Sequence, residues 1–446
     1  MSLPSLDGSL QFDESSRAAA TDDFGHIVRN RPESVLLPGS ERDVATAIRW
    51  AGERGRKVAA RGQGHSVYGR AQARDGLVID MRQLRQVHAI TDDHVVVGAG
   101  ATWREVLEAT LPRKLTPPVL TGYLDLSVAG TLVVGGVGDT TFRNGVQSDN
   151  VLELDVITGT GQKITCSLDN HTDLFEAMRA GLGQAGVITR ATLKLIPAPD
   201  AVRFYELTYS DLQSMLVDQR LLATGHRCQG LQGAIVSSPA GWSYKIDAVT
   251  YGAAGDATAN DRSVLAGLAV DKAAVRVRTL TYLDYLDRLS ALERLLRSKG
   301  QWSNPHPWLT TFVADSAVEH LVADELRRLP AGDLGPFGQV LLSPLRRSAI
   351  ASPLLRLPAG EMLYAFNLVR MPATDNAATE AIRLTAGNRA AYERIRAAGG
   401  VLYPVSAFTM SAEDWRSHFG PEWTRLRRAK TKFDPDHLLT PGYEMF

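Results

Sequence analysis

Cysteine is nearly absent. Cys166 and Cys228 are the only two in 446 residues, and no CxxC spacing occurs, so neither a disulfide framework nor a thiolate metal centre is implied. Both are expected as buried thiols. A surplus of one charge is also absent. Lys+Arg and Asp+Glu each number 49, for a formal net charge of zero. That balance gives no footprint for nucleic acid or for an anionic membrane surface. No apolar run approaches the ~20 residues of a membrane span. The first residues, Met1-Ser2-Leu3-Pro4-Ser5-Leu6-Asp7, show no basic stretch followed by an apolar one, so no secretory signal is expected and a cytoplasmic location is. Repeats and low-complexity segments are missing too. What is left is a globular balance, 44% hydrophobic and 22% charged, long enough for two or three domains and a large core.

Glycine is present where it matters. The run Ala60-Arg61-Gly62-Gln63-Gly64-His65-Ser66-Val67-Tyr68-Gly69 sets a histidine in a glycine-rich turn between two apolar stretches, 57–60 and 77–81. Glycine permits positive φ and close backbone approach to a ligand. Successive N–H groups in such a turn make a nest for an anion. A diphosphate-bearing cofactor beside His65 is the natural reading, although turns of this kind also occur with no ligand at all.

The first third alternates strand and helix patterns. Ser40 and Asp43 open one helix, and Thr102-Trp103-Arg104-Glu105 is a capping box opening another. Residues 188–196 alternate as a strand, and Pro197-Ala198-Pro199-Asp200 marks a boundary. Beyond it, strands are expected at 203–209, 242–247, 275–281, 308–313, 339–342 and 362–369. Helices are expected at 211–223, 282–297, 317–328 and 377–397. Ser411 to Asp414 starts a further helix, followed by a basic one over 425–432. Several strands covered by helices read as an antiparallel sheet with helices on one face.

Four further stretches accompany the turn. They are Ser127-Val128-Ala129-Gly130-Thr131-Leu132, the run from Asn150 to Gly159, Gly181-Leu182-Gly183-Gln184-Ala185-Gly186-Val187-Ile188-Thr189, and Lys432-Phe433-Asp434-Pro435 with Leu439-Thr440-Pro441-Gly442. In this order the set resembles the FAD-linked oxidoreductases of the vanillyl-alcohol oxidase / p-cresol methylhydroxylase superfamily, and within it cytokinin dehydrogenase most. The resemblance is dense over 30–200 and 400–446. It implies an α+β fold: a two-part FAD-binding domain, 1–200 and 401–446, around an inserted substrate domain, 201–400, of antiparallel sheet covered by helices.

The same resemblance implies site residues. His65 takes the place of the histidine bonded covalently to the flavin ring of FAD. Arg61, Gly62, Gln63, Gly64 and Ser66 take the diphosphate turn. Ser127, Thr131, Val133, Val137 and Ile188 line the flavin, and Tyr403, Thr440 and Tyr443 close over it. Arg70 and Tyr443 stand where that family carries glutamine. Bicovalent members add a cysteine before position 128; this chain has none there, so one link is the limit.

One departure bears on chemistry. In Leu120-Thr121-Gly122-Tyr123-Leu124-Asp125, Gly122 occupies the place of the family's proton-accepting aspartate. Asp125 is a substitute only if the loop bends differently. General base catalysis contributes typically 10²–10⁴-fold, so another group is expected to act. Glu361, Asn367 and Tyr403 are candidates, with Tyr282, Asp284, His306 and Tyr364 behind them. Strand parity puts Glu361 and Asn367 on one face and Tyr364 on the other. The activity implied is a flavin oxidase that takes a hydride from a C–H next to N or O of a small molecule, with O2 as acceptor and H2O2 as product. A tailoring step in specialised metabolism fits a reused scaffold. A dehydrogenase with another acceptor, a true cytokinin dehydrogenase and a non-redox flavoprotein are the alternatives. The oligomeric state is not legible.

Overall fold

The computed structural model describes residues 5–238, 241–252, 261–330, 332–373 and 376–446. The chain opens with two sheets that share one core. β1 (Ser9–Gln11), β2 (Ser34–Leu37), β3 (Val58–Arg61) and β4 (Leu77–Asp80) form the first, in the order β1-β2-β4-β3. β4 runs parallel to both β2 and β3, and all four of its residues are buried. The crossover helix Glu41–Gly52 is capped by the Ser40 side chain and lays Val44, Ala47, Ile48 and Ala51 into the core.

β5 (Val87–Ile90) and β6 (His94–Gly98) begin the second sheet. The short β7 (Leu115–Thr116) stays outside it. β8 (Val151–Ile157), β9 (Lys163–Ser167) and β10 (Val187–Lys194) complete the order β5-β6-β10-β8-β9, antiparallel throughout. β11 (Ile196–Pro197) pairs back to β7.

The remaining strands form one eight-stranded antiparallel sheet. They are β12 (Ala201–Tyr209), β13 (Gly230–Ser238), β14 (Gly241–Gly252), β15 (Val275–Thr281), β16 (Leu309–Ala314), β17 (Gln339–Arg346), β18 (Met362–Val369) and β19 (Val401–Leu402). Helices Leu212–Thr224, Asp315–Arg328 and Ala377–Ala397 cover one face. Alternation sets the two sides: Tyr364, Phe366 and Leu368 of β18 join that helix-covered core, while Ala365, Asn367 and Val369 point the other way.

Among the differences from the sequence reading, three concern the second half of the chain. β13 was not expected; Gly230 and Gly233 dilute its apolar signal, and only Leu231 and Ile235 mark its buried side. The helix expected at 282–297 is two, Tyr282–Leu286 and Leu289–Ser298, broken where Asp287 and Arg288 reach across to Arg104 and Asp139. The tail serves both halves: Trp415, Phe419, Leu426 and Tyr443 lie in the eight-stranded sheet's core, whereas Ala429, Phe433 and Leu439 lie in the N-terminal core. Both cysteines are free and buried, as expected. Among the described residues no helix is long and apolar enough to cross a membrane.

Candidate active site

A cavity of about 530 Å³ lies between the bare face of the eight-stranded sheet and the N-terminal part. β3 delivers the glycine turn to its wall. Close approach explains the glycines. A Cβ on Gly62 would sit 1.9 Å from Ser127 Oγ, and Gly64 has φ +68° with Arg61 packed where its side chain would go. Asp23, missed by sequence reasoning, fixes the turn from behind. It accepts from Ser66 Oγ at 2.7 Å and from the Gly69 N–H at 2.6 Å, and burial pushes its pKa up to about 6.

His65 stands at the wall of the cavity. Its ring stacks on Phe24 at 3.8 Å between centroids, with Tyr123 at 5.0 Å. Burial lowers its pKa to about 4, so the imidazole is neutral, and Nε2 is enclosed with no hydrogen-bond partner. Phe24 is sandwiched, because His306 stacks on its other face at 3.9 Å and bonds its carbonyl through Nδ1 at 2.8 Å.

Every residue that the resemblance assigned to FAD lines this cavity. Arg61, Gly62, Gln63, Gly64, His65, Ser66 and Arg70 come from the turn. Ser127, Thr131, Val133 and Val137 come from the segment at helix Val128–Leu132, Ile188 from β10, and Tyr403, Thr440 and Tyr443 from the tail. Trp103 Nε1 donates to Thr131 Oγ1 at 2.9 Å, and Thr440 Oγ1 donates to the Gly183 carbonyl at 2.8 Å. The Gly136 N–H donates to Tyr403 Oη at 3.2 Å, and burial raises both Tyr403 and Tyr443 to about 12.

The catalytic candidates divide. Asn367 and Tyr403 face the cavity; Asn367 Oδ1 accepts from Thr310 Oγ1 at 3.0 Å. Asp125 does not line it. Both its oxygens accept from Arg104, at 2.7 and 3.0 Å, and Arg104 also pairs with Asp287 at 2.7 Å. Glu361 is not brought in either. It precedes β18, exposed, bonded to Ser348 and paired with Arg346. Tyr364 has the expected parity and lies under the helices. Tyr282 bonds Thr116 and Asp284 bonds Thr281, both away from the cavity.

Sequence reasoning missed the apolar side of the cavity. Leu289, Leu292 and Leu296 of helix Leu289–Ser298, with Trp302, Trp308, Leu341 and Met371, make an apolar wall. Trp302 and Trp308, with His306 between them, were the available signal. Glu293 also lines the cavity; Tyr123 Oη donates to its Oε1 at 3.2 Å, and Arg297 pairs with it at 2.7 Å. No group of His, Cys, Asp and Glu suited to a metal occurs among the described residues.

Comparison with known proteins agrees with this geometry. Residues 32–167 match the family model described as FAD binding domain. Residues 229–446 match the one described as cytokinin dehydrogenase 1, FAD and cytokinin binding. An uncharacterized oxidoreductase of the fasciation locus of Rhodococcoides fascians is 36% identical over 99% of both chains. Cytokinin dehydrogenase 7 of Oryza sativa subsp. japonica is 34% identical over 99% of this chain and 92% of that protein. The crystal structure of 6-hydroxy-D-nicotine oxidase from Arthrobacter nicotinovorans superposes over 100% of this chain and 99% of that one, with a TM-score of 0.76 at 21% identity, which speaks for the fold. A glycine cradle, a neutral histidine at its wall and relatives matched from end to end converge: the chain belongs to the cytokinin dehydrogenase family and is a FAD-dependent oxidoreductase.

Proposed function

We propose that this chain is a flavin-dependent oxidase of a small molecule other than a cytokinin. FAD is linked covalently through His65, and O2 accepts the electrons to give H2O2. The substrate carries a C–H next to nitrogen or oxygen, and the reaction is a tailoring step of specialised metabolism. The observation that carries the link is the state of His65: neutral, enclosed, with an unpartnered Nε2, at the wall of the cavity. A neutral imidazole keeps a lone pair for attack; an imidazolium has none.

The residues present fit FAD. Gly62 packs on Ser127 and Gly64 turns at φ +68° against Arg61, so the turn carries no side chains at those two positions, as a main-chain nest for a diphosphate requires. FAD bound there would supply a two-electron acceptor for hydride. The chain's own residues account for the rest. The leucine and tryptophan wall keeps water from the reacting C–H. Tyr403 Oη, bonded by the Gly136 N–H, stays protonated. Gly122 offers no carboxylate, so the proton of a substrate N–H or O–H passes to Tyr123 Oη while the Tyr123 proton moves to Glu293 Oε1. Burial and the Glu293 charge raise the Tyr123 pKa, so the phenol is protonated at rest and acts as a relay. Substrate choice is assigned to the eight-stranded sheet and helix Leu289–Ser298, which supply that wall. The O2 acceptor follows the fold neighbour, an oxidase by name; the cytokinin dehydrogenases, by theirs, point to another acceptor.

Acid denaturation followed by mass measurement tests the link. The wild type is expected to carry the added mass of FAD, and His65→Ala to be folded with flavin absent or dissociable. Unmodified wild-type mass with free yellow flavin in the supernatant refutes the link. Anaerobic reduction followed by mixing with air tests the acceptor: rapid return of the oxidised spectrum is expected, and persistence of the reduced form in air assigns a dehydrogenase.

A further inference from the structure

Arg70 lines the same cavity, five residues beyond His65. Its surroundings are unusual for a guanidinium so deep in the protein. Nη1 donates to the Gly442 carbonyl at 3.0 Å and Nη2 to the Phe408 carbonyl at 3.2 Å. Nε is enclosed with no partner. The rings of Tyr443, Tyr68 and Trp415 stand 4.9, 5.3 and 5.7 Å from the guanidinium carbon. Among the described residues no carboxylate pairs with it. Asp23 and Glu444 act on it only at longer range, and Asp23 is itself pushed toward the neutral form.

A cation this enclosed and without a counter-ion is costly to keep. Arg104, Arg288 and Arg394 are each matched by carboxylates. Arg179 and Arg370 also go without a paired carboxylate, but neither lines the cavity; Arg61 does line it, with Nη1 on the Asp22 carbonyl and the charges of Asp23 and Asp80 acting on it. Each terminal nitrogen of Arg70 gives one N–H to a main-chain carbonyl and keeps a second, and Nε is shut in. What Arg70 offers the cavity is charge.

We infer that Arg70 is a fixed positive charge of the flavin pocket and stabilises the negative charge that a bound flavin takes up on reduction. This rests on FAD occupying the cavity. Hydride transfer breaks the substrate C–H bond and brings the ring two electrons and one proton, leaving it anionic. A fixed cation nearby favours that state and raises the potential. Sulfite reports the same property with no substrate needed. It adds through sulfur to oxidised flavin, forming one S–N bond; the ring takes the electron pair as negative charge and nothing leaves.

The test uses the purified flavin-loaded enzyme, Arg70→Gln and Arg70→Lys. Sulfite affinity is read from loss of the visible flavin band, and the potential from equilibration with a reference dye. R70Q is expected to bind sulfite at least about tenfold more weakly, the scale of a nearby unit charge in a protein interior. Its potential is expected to fall by about 30 mV for each tenfold, the conversion for a two-electron couple. R70K, which keeps the charge, is expected within about threefold of the wild type. If R70Q is recovered unfolded, Arg70→Met, which keeps the stem among the rings, carries the same expectation. Sulfite affinity and potential unchanged in R70Q overturn the inference. So does R70K falling as far as R70Q, which would make the effect one of packing. Loss of flavin from R70Q with a wild-type potential in the fraction that remains also overturns it, and gives the charge to the diphosphate. Wild-type protein without flavin would defeat the functional reading first, and this inference with it.

Discussion

Position 122 shows how much one absent side chain decides. A Cβ on Gly122 would meet only Leu289 Cδ1, at 3.5 Å, an ordinary contact. An aspartate therefore fits there without strain, and its absence belongs to chemistry rather than packing. Isopentenyladenine, whose amine would have to reach the Tyr123–Glu293 relay in place of that aspartate, is expected to be turned over more slowly than by an enzyme holding it, by up to the roughly 100-fold that a general base contributes at its lower bound. Gly122→Asp is expected to recover part of that rate, and stopped-flow flavin reduction measures both. Wild-type reduction at a true cytokinin dehydrogenase's rate would contradict the reading. His65 and its turn were legible because glycine, histidine and strand stand within ten residues. The Tyr123–Glu293 bond was not, because its partners lie 170 residues apart. Asp125 and Glu361 misled for the converse reason: a carboxylate is visible in sequence, whereas the arginine and serine that occupy it are not.

Among the elements, strands Val275–Thr281 and Met362–Val369 and helix Ala377–Ala397 coincide with their sequence patterns, since each carries its own period and its own ends. The tail is different, because what fastens it comes from elsewhere. At the end of helix Trp423–Phe433, Lys430 and Asp434 form an ion pair at 2.6 Å, with side chains 1% and 0% exposed. Lys430 Nζ also donates to Gln184 Oε1 and the Leu439 carbonyl, while Asp434 accepts from the N–H groups of Leu438 and Leu439. This knot sets Thr440 against Gly183 at the cavity wall. Lys430→Met leaves Asp434 buried and unpaired, and is expected to cost about 3–5 kcal/mol in denaturant unfolding. Bound flavin is expected to fall in parallel, read as absorbance per protein. A loss below about 1 kcal/mol, the level of an exposed pair, would mean that the pair does not hold the tail. Deleting everything after Val401 is a poorer test, since it strips Trp415, Phe419 and Leu426 from the other core as well.

For the whole molecule, the buried histidines set the acid limit. Burial holds His306 and His418 near 3, each below the ordinary value of about 6.5 for an unfolded chain. As pH falls below about 6.5 the unfolded chain takes up protons that the folded one refuses. The stability these groups contribute is therefore complete above 6.5 and is lost toward 3. Asp23 and Asp247, raised to about 6 by burial, oppose this between about 4 and 6, because there the folded state binds the extra proton. The two histidines are displaced further, from 6.5 to about 3, than the two carboxylates, from 3.8 to about 6, which leaves acid destabilisation as the net expectation from these four groups. His418 is the cleanest to remove. Both its ring nitrogens are enclosed without partners, and its neighbours are the rings of Trp415 and Phe419. His418→Leu takes away one proton that only the unfolded state binds. Its unfolding free energy is expected to fall less steeply from pH 6.5 toward 4, by up to about 1.4 kcal/mol per pH unit. Denaturant midpoints at pH 7 and pH 4.5 for the two proteins measure the difference, and parallel losses would show that His418 is protonated in the folded state.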